Sequence, residues 1–90
     1  MTKKDLKPMM VLQTAWGDLY LYVGTDTVYN ISNNIGHKHL SDFDDTLEEI
    51  PSTGLCTYTI ARIFEPVNIH LPLQEVISPN NLIAVWSRTW

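Results

Sequence analysis

The segment from Met10 to Val23 constrains this chain more than any other, because two short alternating runs flank a single turn signal. Met10, Leu12 and Thr14 alternate with Val11, Gln13 and Ala15; Trp16-Gly17-Asp18 supplies the turn, and Leu19-Tyr20-Leu21-Tyr22-Val23 resumes the extended pattern. A polar lead-in, Lys4-Asp5-Leu6-Lys7-Pro8, feeds this hairpin. Gly24-Thr25-Asp26 is the next turn, and Thr27 to Ile31 is β-branched and aromatic enough for a third strand, so the first third reads as a meander.

The rest of the chain continues in short elements. Ser32 to Gly36 are turn formers, and Lys38-His39-Leu40 is a short strand ending at Ser41-Asp42. Phe43 and Leu47, four apart, suggest one helical turn capped by Ser41, with Pro51 as its stop and Ile50 to Cys56 as a loop. Thr57 to Phe64 reads as an interior strand, with Tyr58, Ile60, Arg62 and Phe64 on one face and Thr59, Ala61 and Ile63 on the other, closed by Pro66. Pro72 opens a short helix over Leu73 to Ile77, Ser78-Pro79-Asn80-Asn81 ends it, and Leu82 to Arg88 is the last strand. The expectation is a mainly β single domain over residues 1–90: an SH3-like β-barrel of five or six short strands with one or two single-turn helices, closed so that no edge is exposed.

Composition narrows the function classes. An apolar fraction of 44% excludes a disordered tail, and a net charge of -4 argues against general nucleic-acid binding. No apolar region follows Lys3 and Lys4 before Pro8, and no run approaches the length of a membrane span, so neither export nor insertion is expected. The lone Cys56 suits a reducing compartment, which points to the cytoplasm.

Several motifs resemble small phage and prophage proteins of Gram-positive bacteria that open on D-L-K-P-G-M-V-V. They are Asp5-Leu6-Lys7-Pro8-x-Met10-Val11, Gly17-x-x-Tyr20-x-x-Val23, Leu40-Ser41-Asp42-Phe43 with Leu47, Ile60 to Pro66, and Leu82-Ile83-x-x-Trp86-x-Arg88. Met9 stands where those proteins carry glycine, and the tryptophan common near residues 35–37 is missing. The resemblance implies a compact β-barrel and a phage-related gene, and brings no activity with it.

No catalytic, metal or phosphate-cradling signature is visible, so no enzyme, cofactor or metal is expected. His37 and His39 lie on one face of a strand and would need a third ligand such as Asp42 to hold a metal; plain surface histidines are the simpler reading. His70 reads as a strand-end or core-rim residue, and Cys56 as a small apolar residue rather than a nucleophile. Asp42, Asp44, Asp45, Glu48 and Glu49, with Phe43 among them, form either a solvated face or an acidic surface that docks on a basic protein. Trp16, Trp86, Trp90, Tyr20 and Tyr22, with Lys38, Arg62 and Arg88, could stack and neutralise a nucleotide; most rings must fill so small a core, whereas Trp16 at a turn and Trp90 at the last position need not.

The function expected is therefore a non-catalytic, phage-type binding protein, an inhibitor of host antiviral defence. It would mask a host protein through the acidic run, or sequester a nucleotide second messenger in a basic and aromatic pocket at a homo-oligomer interface. The alternative is a nucleic-acid or replication-complex accessory module, which needs Lys3, Lys4, Lys7 and Arg88 to cluster.

Overall fold

The computed structural model describes residues 1–32, 36–50 and 59–89. The expected turn at Ser32 to Gly36 lies partly outside them; the loop after Ile50, Cys56, the Thr57-Tyr58 start of the interior strand and Trp90 lie wholly outside. Six strands form one antiparallel sheet: β1 Val11–Thr14, β2 Leu19–Tyr22, β3 Thr27–Asn30, β4 His37–His39, β5 Ile60–Pro66 and β6 Leu82–Ser87, in the order β4-β3-β2-β1-β5-β6. The fold is mainly β, as the alternation implied. Closure is not: β4 and β6 are the two ends of an open sheet.

Short turns set the register of the meander. Gly17, in the turn between β1 and β2, and Gly24, in the turn between β2 and β3, both take φ above +90°, which an L side chain resists. Val11 pairs with Leu21 and Leu12 with Tyr20, so Leu12, Tyr20 and Val28 share the inner face. On that face Leu6, Met10, Leu40, Phe43, Leu47, Ile60 and Ile63 complete a buried cluster, with Trp86 packed against it.

The alternation expected within β5 is broken. Gln13 pairs with Arg62 and Thr14 with Ile60, so Ala61 is an extra residue opposite β1. This bulge reverses the facing order, which is why Ile60 and Ile63 are both buried while Arg62 points outward. A second bulge, at Val85, interrupts the pairing of β6 with β5.

Residues 43–50 also depart from the reading as a helical turn. Ser41 lies inside a single 3-10 turn over Leu40–Asp42 instead of capping a later one, and the Asp42 carboxylate reaches back to accept the His39 amide at 3.0 Å. Phe43 then bridges Glu49 in antiparallel fashion, and Leu47 turns the chain at φ 65°. Phe43 and Leu47 do share a face, but they reach the core from a tight hairpin rather than from a helix.

The short helix is found at α1 Leu73–Val76, after Pro72, and a 3-10 turn over Pro79–Asn81 leads into β6. Asn81 holds this connection: its amide donates to the carbonyls of Asn68 and Val76, both at 2.9 Å. His70 lies on the exposed stretch between β5 and α1, not at the core rim. Among the described residues, no helix is long and apolar enough to cross a membrane.

Candidate functional site

A groove of about 500 Å³ opens at one end of the β1–β5 pair, lined by Gln13, Thr14, Ala15, Trp16, Gly17, Ala61 and Arg62. Its shape follows from two local devices already described. The Gly17 turn, closed by the Gly17 amide on the Thr14 carbonyl at 2.9 Å, lifts Trp16 clear of the sheet, and its side chain is 77% exposed. The Ala61 bulge turns Arg62 to the same side as its partner Gln13. The turn itself is held firmly, the Thr14 hydroxyl accepting the Asp18 amide and the Thr14 amide donating to the Asp18 carbonyl at 2.9 Å.

The Arg62 side chain makes no hydrogen bond or ion pair among the described residues. A guanidinium with free donors beside an exposed indole can take a planar ring on the indole face and an anionic group on the fork. Gln13, the partner of Arg62 across the sheet, lines the same groove. Of the residues expected to bind a ligand, the structure brings Trp16 and Arg62 together.

The other described ones are placed elsewhere. Tyr20 is buried in the core cluster. Lys38 pairs with Val28, so its side chain runs on the inner face, where Nζ lies 3.6 Å from Glu49 Oε2. Arg88 donates to the carbonyls of Thr46 at 2.7 Å and Ile60 at 2.9 Å, lies 3.3 Å from Glu48 Oε1, and stacks 5.0 Å from the Trp86 ring.

The acidic run is likewise engaged with its own chain. Asp42 accepts the His39 amide; Asp44 accepts the Thr46 hydroxyl at 2.7 Å and the amides of Thr46 and Glu48. Those bonds, the hydroxyl of Thr46 first among them, hold the Asp44 carboxyl below its usual range. Glu48 meets Arg88 and Glu49 meets Lys38, so the 43–50 hairpin reaches toward β6 with one carboxylate and toward β4 with the next. Asp45 alone makes no such side-chain bond among the described residues. Phe43 is buried.

His37 and His39 meet edge to face, ring centroids 5.2 Å apart, and His39 Nδ1 lies 3.5 Å from Asp26 Oδ2. Among the described residues no group of three His, Cys, Asp or Glu side chains is placed to share an ion. Sequence reasoning did not place Gln13 and Ala61 in the groove, because the β1–β5 register and the bulge at Ala61 bring them beside Arg62. Comparison of the chain with protein-family models, with curated proteins and with solved structures gives no match.

Proposed function

We propose that the protein is a non-catalytic binding module whose working surface is the Trp16–Arg62 groove, and that its ligand is a nucleotide. In this reading it is a phage-type inhibitor of host defence, acting by sequestering a nucleotide signal. The observation that carries the proposal is the pairing of an exposed indole with an unengaged guanidinium over one groove. Ring stacking and charge-assisted hydrogen bonding are together the chemistry that recognises a base and its phosphate. Masking a basic protein through the acidic run has less support, since Asp42, Asp44, Glu48 and Glu49 already hold the chain together. An SH3-like barrel remains the fold proposal, with the 43–50 hairpin spanning the side that the open sheet leaves.

Calorimetric titration with cyclic mononucleotides, cyclic dinucleotides and linear nucleotides tests the reading. One of these should bind and quench tryptophan fluorescence. Trp16→Ala or Arg62→Ala should each weaken binding by roughly 1–3 kcal/mol, at an unchanged melting temperature, because each removes one stacked or charge-assisted contact. If none of the nucleotides binds, or if binding survives both substitutions, the assignment is overturned.

A further inference from the structure

The two ends of the sheet are treated differently. At one end β4 is three residues long, His-Lys-His, with Lys38 tied to Glu49 and His39 set against Asp26. Short length and charge are the usual ways in which a protein blunts an edge strand. At the other end β6 runs over six residues, Leu-Ile-Ala-Val-Trp-Ser, with no charge and no proline. Among the described residues, no strand pairs with its outer edge. Ile83 is 57% and Val85 42% exposed, so the unpaired backbone ladder is flanked by uncovered apolar side chains.

We propose that this edge pairs in antiparallel fashion with β6 of a second copy of the chain, joining two six-stranded sheets into one across a twofold axis. Two observations select this occupant. An uncharged strand can face itself without like-charge repulsion, whereas the chain as a whole carries a net charge of -4. A twofold axis across this edge makes the pairing of β6 with its own copy antiparallel. Finally, the polar β4 edge does not offer β6 an open-ended partner, so the assembly closes at two copies instead of growing into a fibre. The bulge at Val85 shortens the regular ladder but places no charge on it.

Sedimentation velocity on the full chain over a wide concentration series tests this, with hydrogen exchange of the wild type as a second measurement. The expected results are a monomer–dimer equilibrium and amides in Leu82–Ser87 that exchange more slowly as concentration rises. Ile83→Lys and Val85→Lys should each raise the dimer Kd at least about tenfold, with an unchanged circular dichroism spectrum. Tyr29→Lys, at an exposed position of β3, should leave it unaltered. A wild type that stays monomeric, a dimer without concentration-dependent protection in β6, a dimer lost equally in Tyr29→Lys, or open-ended growth would each overturn the proposal. If the lysine variants fail to fold, the exchange measurement on the wild type decides alone.

Discussion

Met9 takes φ 75°, and the Met10 amide donates to the Lys7 carbonyl at 3.2 Å, so Lys7-Pro8-Met9-Met10 is a turn with proline second and a left-handed residue third. That turn type asks for glycine at the third position. Met9 occupies the place where the resembling phage proteins carry glycine, so the one departure in the opening motif is also a point of backbone strain. Met9→Gly should therefore be more stable than Met9→Ala by about 1 kcal/mol in urea unfolding, because both lose the side chain and only glycine relieves the φ angle. The reverse order, normal for an extended site, would show that the turn carries no strain. Leu47, at φ 65° and fully buried, combines the same strain with core packing. Leu47→Ala should cost about 2–5 kcal/mol, and Leu47→Gly no more than that.

Among the elements, the 43–50 hairpin has the most consequence, because it supplies Phe43 and Leu47 to the core and carries the ion pairs directed at both sheet ends. Its two contacts with Arg88 differ in kind. The guanidinium is nearly buried and satisfies the Thr46 and Ile60 carbonyls, whereas Glu48 is 57% exposed and its ion pair is screened by water. Arg88→Ala should therefore cost roughly 1–3 kcal/mol by leaving those carbonyls unpaired, while Glu48→Gln should cost under about 1 kcal/mol; chemical denaturation of both variants reads the difference. Equal costs would mean that the ion pair, not the carbonyl bonds, anchors the hairpin. This element also marks where the sequence stopped being readable. The six strands were visible because period-2 alternation and glycine turns are local signals. A spacing of four between Phe43 and Leu47 fits a helical turn and a tight hairpin alike, and the Asp44 bonds to Thr46 and Glu48 decide for the hairpin. The Ala61 bulge was equally hidden, since nothing in Ile-Ala-Arg-Ile signals which residue lacks a partner. Exposure of Trp16 could be read from its turn; the engagement of Lys38 and Arg88 by Glu49 and Glu48 could not, because register between distant strands creates those pairs.

For the whole molecule, two depressed carboxyl groups give the acid response a definite sign. The backbone amide of Thr2 donates to Asp5 at 2.9 Å and holds its carboxyl below the usual range, as the Thr46 hydroxyl does for Asp44. A carboxyl whose folded-state pKa lies below its unfolded value adds stability that is complete above the unfolded pKa and vanishes as pH falls through the folded one. The window therefore opens near pH 4, the ordinary aspartate value of about 3.9, and extends downward. Both groups are open to solvent, so the effect is modest and is best read as a slope. Asp44→Asn keeps an acceptor oxygen in the turn while removing the charge, which separates the titration from the geometry of the hairpin. The urea midpoint of this variant should be lower than that of the wild type at neutral pH, should fall less steeply below pH 4, and should approach the wild-type value in strong acid. Parallel curves across the whole range would show that Asp44 is as well stabilised in the unfolded chain as in the hairpin, and the acid loss would then have to come from Asp5 or from the ion pairs of Glu48 and Glu49.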